Sequence, residues 1–386
     1  MSAREQVTPS REQVTPSREH VTPSREHVTR SREHVTRSRS NPGGVADVLT
    51  VLGPSVVEHR ARKPPWFKVP APGGMRYREL RGLIESENLH TVCQEAACPN
   101  IGECWERGTA TFMILGDTCT RRCGFCNVKT GKPTWNDPLE PARVGRSVAR
   151  MGLRHAVVTS VDRDDLPDYG ASAFVGVIRQ IRRQAPECRV EVLTPDFRGA
   201  EMPLAKVIVE APDVFNHNVE VVPRLYPVAR RGSRFLRSCR VLANAKELGG
   251  EALVTKSGLM VGLGESLDEL LEALGILREH HVQVLTVGQY LRPTERHLPI
   301  VRYWHPEEFE ALERAAYALG FEHVAAGPLV RSSYHADEVA AGPLLRSSYH
   351  ADEVAAGPLA RSSYHADGDV AQMQPGTGPR VEVARG

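Results

Sequence analysis

Two cysteine triplets set the chemistry available to this chain: Cys93, Cys98 and Cys104 in the spacing C-x4-C-x5-C, then Cys119, Cys123 and Cys126 in the spacing C-x3-C-x2-C. A structural zinc site takes four protein ligands, whereas a cubane iron–sulfur cluster takes one thiolate per iron and can leave one iron open. Triplets therefore favour clusters; a zinc or rubredoxin-like loop would need a fourth ligand from elsewhere. Disulfides fit poorly, because no signal peptide precedes the cysteines and the chain is far longer than bridge-dependent secreted scaffolds. In the second triplet, three thiolates on one short loop hold three irons of a four-iron cluster and leave the fourth open to an exogenous ligand. Phe125 stands ready to shield that cluster and face a purine ring, with Arg121 and Arg122 offsetting its negative charge. The remaining cysteines, Cys188 and Cys239, read as core or edge thiols.

Short β-branched runs alternate with longer amphipathic ones, the pattern of repeated β/α units on a parallel sheet. Six strand runs are expected: 111–115, 155–161, 189–193, 214–221, 253–262 and 282–290. Between them lie helical segments. Residues 141–151 follow a proline-rich turn, 171–183 carry Phe174, Val175, Ile178 and Ile181 on one side, and 234–248 carry Phe235, Leu236, Leu242 and Ala245. Residues 266–279 open with a capping serine and an acidic first turn. Six units are too few for a closed eight-stranded barrel, so the expected fold is α/β, a partial (β/α)6 TIM-type barrel, with an N-terminal cluster-binding extension and disordered repetitive ends. Its loops gather at one rim, and the second triplet follows the first strand onto that rim.

The ends differ from this core. Five heptapeptides of the type REQVTPS run from Arg4 to Ser38; each carries one valine and the early ones a proline, so no coiled-coil seam forms, and the recurring glutamate argues against a mitochondrial presequence. Disorder is expected there. Three near-identical fifteen-residue units beginning at Val324 end in the tail, with Gly-Pro at their centre and no stacking face. The expected organisation is thus 1–59 disordered, 60–110 an extension carrying the first triplet, 111–323 the partial barrel, 324–338 an RSSY segment, and 339–386 duplicated repeats and tail. A net charge of +2 gives no argument for a nucleic-acid partner, and no apolar run is long enough for a bilayer, so a soluble cytoplasmic protein without membrane contact is expected.

The triplet Cys119-x3-Cys123-x2-Cys126 with an aromatic at 125 resembles the signature of radical S-adenosylmethionine enzymes. With Cys93-x4-Cys98-x5-Cys104 upstream and RSSY at 331–334, the combination is similar to the lipoyl synthase family. The phrases TSVDRDDLPDYGA (159–171), VFNHNVEVVPRLY (214–226) and GLMVGLGE (258–265) also look like that family, and the resemblance covers about residues 60–337.

The resemblance implies two [4Fe-4S] clusters and S-adenosyl-L-methionine. Cys119, Cys123 and Cys126 would hold the cluster whose open iron is chelated by that cofactor's amino and carboxylate groups. Cys93, Cys98 and Cys104 would hold an auxiliary cluster, with Ser333 of RSSY as its fourth ligand; Ser348 and Ser363 occupy the same place in the later copies. An alkoxide is harder than a thiolate and more readily displaced when its iron leaves. The implied activity is a sulfurtransferase reaction: insertion of sulfur from the auxiliary cluster at carbons 6 and 8 of an octanoyl chain on a carrier lysine. Implied partners are octanoylated lipoyl carrier domains, namely 2-oxoacid dehydrogenase E2 subunits or the glycine cleavage H protein, and an electron donor such as flavodoxin or ferredoxin. Further expected contacts are Asn218 and Glu220 at the ribose, Lys256 at the cofactor carboxylate, Ser160 at its amino group and the backbone near Val261 at adenine, with Arg292 near substrate. The charge run Asp162, Arg163, Asp164 and Asp165 reads as a structural or solvated loop. The alternative from another class is a non-catalytic iron–sulfur or zinc-binding module, which would bind metal without consuming S-adenosylmethionine.

Overall fold

Alternating β-branched and amphipathic runs become, in a computed structural model, strands β1 (His90–Thr91), β2 (Thr109–Ile114), β3 (Thr118–Cys119), β4 (Lys129–Thr130), β5 (His155–Ser160), β6 (Arg189–Leu193), β7 (Val214–Asn216), β8 (Val254–Val261), β9 (Val284–Gln289) and β10 (His323–Gly327). The structure describes Val57, residues 62–69, 72–87, 89–95 and 98–334, and Ala336. The heptapeptide repeats, Ser348 and Ser363 lie outside the described residues. One eight-stranded sheet runs β1-β2-β5-β6-β7-β8-β9-β10, and β3 pairs with β4 apart from it. All neighbours from β2 to β10 are parallel; β1 lies antiparallel on β2, with Thr91 opposite Phe112. Among the described residues this sheet is open, with β1 and β10 at its edges.

Each expected strand run contains a strand, and the sheet extends beyond them at both edges. FEHVAAGPLV reads as strand-like ahead of RSSY and supplies β10, whereas β1 was hidden because two residues carry no periodicity. The run expected to continue to Val221 leaves the ladder at Asn216 and returns only as a bridge between Glu220 and Leu259, where Glu220 has φ +68°. The central strands are buried on both faces, as a parallel sheet covered by helices requires.

Besides the four-residue helices Val92–Glu95 and Tyr226–Ala229, the described α-helices are α1 (Met75–Ser86), α2 (Ile101–Glu106), α3 (Glu140–Arg150), α4 (Ala171–Gln184), α5 (Glu201–Ile208), α6 (Phe235–Gly249), α7 (Leu267–Glu279) and α8 (Pro306–Ala318). From α3 onward each connects or follows parallel strands, the crossover that such a sheet needs. α4 buries Phe174, Val177, Ile178 and Ile181, the i, i+3, i+4, i+7 stripe; Val175 lies off it. On α6 the buried set includes Phe235, Cys239 and Leu242, whereas Leu236, expected inward, is 52% exposed because it sits one residue out of phase. Cys188 is buried as well. α7 starts with a full capping box: Ser266 Oγ accepts from Glu269 N–H at 3.1 Å, and the Glu269 carboxylate accepts from Ser266 N–H at 2.9 Å. Among the described residues no helix is long and apolar enough to cross a membrane.

Candidate metal centres and the strand-end rim

The first triplet is assembled at the β1 edge. Cys93 follows β1 directly, Cys98 N–H donates to Cys93 O at 2.9 Å, and Cys104 N–H donates to Asn100 O at 3.0 Å on entering α2. Local turns thus hold the thiols together. A single cavity is lined by Cys93, Cys98, Cys104, Thr111, Arg331 and Ser333, among others. Asn100 Nδ2 donates to Leu329 O at 2.7 Å, and Tyr334 reaches the Glu103 carboxylate at 3.3 Å, so the RSSY turn is tied to the cysteine segment from 229 residues away in sequence. The turn also lies against β9, where a side chain at Gly288 would strike Val330 O. Ser333 of the first copy is therefore brought to the first triplet.

The second triplet lies on the loop after β2, at the rim where the parallel strands end. Gly124, between Cys123 and Phe125, donates to Ala229 O at 2.8 Å and accepts from Leu298 N–H at 2.9 Å. A Cβ there would lie 2.8 Å from Val228 O and 2.9 Å from Leu298 Cγ. Cys119 Sγ accepts from the backbone N–H groups of Asp162 (3.3 Å) and Arg121 (3.4 Å). His297 Nε2 contacts Cys126 O at 3.0 Å. Loops after β5, β7 and β9 thus converge on one short segment, which a loop this small could not order alone. Phe125 packs half-buried against the core.

The arginines are arranged differently from the expectation. Arg121 pairs with Asp162 (3.3 Å), Asp164 (2.7 Å) and Asp196 (2.8 Å), and Arg122 is exposed. Three carboxylates engage the Arg121 guanidinium, so it braces the loop, while its charge still favours the Cys119 thiolate; Arg163 pairs with Asp165 at 2.9 Å. The Asp162–Asp165 run is structural. The cation electrostatically coupled to Cys123 is the half-buried Arg230, which also donates to Asn218 O (2.5 Å) and Ser238 Oγ (3.1 Å). Arg331 has the same relation to Cys98. Sequence reasoning missed Arg230 and Thr111, whose neighbours in the chain give no sign of proximity to cysteine, and Asn100, which lies between Cys98 and Cys104.

Of the remaining expected residues, Ser160, Asn218, Glu220 and Val261 lie at or just beyond the rim ends of β5, β7 and β8. Ser160 Oγ is buried without a hydrogen-bond partner. Glu220 is held above the usual carboxylate range by burial, against the opposing pull of Arg230 and a hydrogen bond from Asn218. Val261 O accepts from Tyr290 N–H at 2.9 Å. Lys256 is elsewhere. It is fully buried on the sheet, opposite Asn216 in register, with Nζ 3.1 Å from Glu191. Its position five residues before the end of β8 keeps the ammonium below the rim. Burial pushes the Glu191 carboxyl up, but Lys256, His155 and Asn216 outweigh that and hold it at about 2. Arg292 donates to His297 O at 2.9 Å and to Glu295 O, so its guanidinium closes its own loop.

The donor sets suit iron–sulfur clusters. Burial pushes Cys93 and Cys126 up to about 11 and Cys123 up to about 12, and raises Cys98 and Cys119, so these thiols become thiolates only when a metal supplies the compensating charge. Among the described residues no three His, Cys, Asp or Glu side chains converge as one metal ion requires. A cubane asks less convergence, since each thiolate binds its own iron. The orphaned Ser160 hydroxyl at the same rim suits a polar cofactor group beside the open iron.

The model of the Radical SAM superfamily matches residues 113–277. The chain is 56% identical over 279 residues to a lipoyl synthase of Rubrobacter xylanophilus, spanning 72% of this chain and 87% of the relative. It is 52% identical over 280 residues to a lipoyl synthase of Burkholderia pseudomallei, spanning 72% and 85%. A solved methylornithine synthase covers 68% of this chain and 87% of its own, with 13% identity and a TM-score of 0.44.

Proposed function

Because this chain belongs to the lipoyl synthase family of radical S-adenosylmethionine enzymes, we propose that it is a sulfurtransferase that inserts two sulfur atoms at carbons 6 and 8 of a protein-bound octanoyl-lysine. The observation that carries the reading is the cavity shared by Cys93, Cys98, Cys104 and Ser333, at a place distinct from the Cys119–Cys126 loop. One loop of thiols is enough to cleave a cofactor; a second, with a replaceable oxygen donor, is what a sulfur source needs.

In this reading Cys119, Cys123 and Cys126 hold a [4Fe-4S] cluster and Cys93, Cys98, Cys104 and Ser333 a second, auxiliary one. When bound, the first cluster and S-adenosylmethionine supply a 5′-deoxyadenosyl radical able to take hydrogen from unactivated carbon, which no side chain can do by acid–base chemistry. Ser160 receives the cofactor amino group, Asn218 and Glu220 the ribose hydroxyls, the backbone at Val261 the adenine, and Phe125 covers the cluster. Arg230 balances the charge gathered near Cys123. Lys256 is assigned to Glu191 and not to the cofactor carboxylate. Carrier domains of the E2 or H-protein type present the acyl chain at the rim, and flavodoxin or ferredoxin supplies electrons.

The test is an anaerobic assay with dithionite, S-adenosylmethionine and an octanoylated lipoyl-domain peptide, following 5′-deoxyadenosine and thiolated peptide by mass spectrometry. Cys98→Ala is expected to keep 5′-deoxyadenosine and lose the thiolated product; Cys123→Ala is expected to lose both. Parent protein loaded with both clusters that forms neither product would overturn the reading in favour of a metal-binding module.

A further inference from the structure

Adjacent serines of the RSSY turn face different places. Ser333 lines the cavity of the first cysteine triplet, while Ser332 does not. Ser332 Oγ instead accepts from Asn216 Nδ2 at 2.9 Å and donates to Asn218 Oδ1 at 3.0 Å. Asn216 ends β7 and also donates to Glu191 at 2.7 Å, so one end of this clamp is anchored in the buried Glu191–Lys256 pair. Asn218 begins the segment leading to Glu220, to which it is hydrogen-bonded. Its Oδ1 lies 2.9 Å from where a Cβ on Gly258 would stand, so the missing side chain at Gly258 leaves the room that the amide occupies. Asn100, Gly288 and Tyr334 seat the same turn by contacts that do not involve β7.

We propose that Ser332 is a positioning residue that couples the two metal centres: its hydroxyl, clamped between Asn216 and Asn218, aims Ser333 at the Cys93–Cys98–Cys104 cavity and at the same time sets the Asn218 amide for the rim. The inference rests on the two-centre reading above. It assigns the paired serines distinct tasks, one ligating and one reporting the presence of the ligating turn to the cofactor end of β7. It also supplies a rule for a chain that carries RSSY three times: the copy that ligates is the copy whose first serine occupies the Asn216–Asn218 clamp, here the first.

The experiment compares Ser332→Ala, Ser332→Thr, Ser333→Ala and Asn218→Ala in the reconstituted full chain. Three readouts are taken: equilibrium binding of S-adenosylmethionine, the EPR spectrum after mild oxidation in a Cys123→Ala background that removes the three-cysteine cluster of the second triplet, and melting temperature. Losing the clamp hydroxyl is expected to weaken S-adenosylmethionine binding roughly 2- to 13-fold, the range of one net neutral hydrogen bond. It should also produce the three-iron signal of a cluster short of its fourth ligand. Ser333→Ala should give the three-iron signal alone, Asn218→Ala, which removes one leg of the clamp, should give both effects, and Ser332→Thr should restore both. Ser332→Ala that alters only the melting temperature, or only one of the two other readouts, overturns the coupling. If Ser333→Ala and Cys98→Ala both leave two intact four-iron clusters, the two-centre reading falls, and this inference with it.

Discussion

Replacing Lys256 by Met should destabilise the protein severely without acting through the cofactor. Lys256 and Glu191 are both 0% exposed, and Nζ lies 3.1 and 3.2 Å from the two carboxylate oxygens. His155, 1% exposed, adds a contact at 3.4 Å. Methionine fills nearly the same volume, so the packing change is small and the loss is electrostatic. Removing one partner of a buried pair costs about 3–5 kcal/mol, because the other charge is left uncompensated. At roughly 2–4 °C per kcal/mol for a domain of this class, the melting temperature should fall by about 6–20 °C. The assay is anaerobic thermal unfolding followed by circular dichroism, completed as a cycle with Glu191→Leu and the double variant. Discharging both partners should recover most of the loss. A single variant melting within about 2 °C of the parent, or a double variant as unstable as the single, would refute the argument. If Lys256→Met instead lowered S-adenosylmethionine affinity while the fold stood firm, the ammonium would belong at the cofactor.

The same pair has a pH signature. The folded-state value of Glu191, about 2, lies below its ordinary 4.5, so its contribution is fully present above pH 4.5 and is lost as pH falls through 2. The gap in melting temperature between the parent and Glu191→Gln should therefore narrow across that window; a constant gap would contradict the assignment. Gly124→Ala forces a methyl within 2.8 Å of Val228 O and 2.9 Å of Leu298 Cγ. Overpacking of about 1–3 kcal/mol should appear as lost iron and sulfide in a Cys98→Ala background, which reports the second triplet, and as no loss in a Cys123→Ala background, which reports the first. Gly288→Ala drives a methyl into Val330 O and should lift the RSSY turn, giving the three-iron EPR signal that Ser333→Ala gives; a parental spectrum would show that the turn is not seated on β9.

The chemistry was legible in the sequence because cysteine spacing is local: three thiols within eight residues lie close in any conformation of their loop. The β/α alternation was legible for the same reason, since period and chain reversal are properties of short windows. Pairings across the sheet left no such trace. Arg121 reads as a counter-charge to Cys119, but nothing local shows that Asp162, Asp164 and Asp196 arrive from two other loops to share it, and Lys256 reads as a cofactor ligand until the register of β7 and β8 puts it beside Asn216 and Glu191. β1 is too short to announce itself, unlike the strand-like FEHVAAGPLV that becomes β10, and the two carry the first triplet and the RSSY turn to opposite ends of the sheet order. The sequence by itself determined which atoms can bind iron. Only the tertiary structure decided that Ser333 meets Cys93, Cys98 and Cys104 while Ser332 turns to Asn216 and Asn218, because the direction of adjacent side chains depends on the surfaces against which their backbone is pressed.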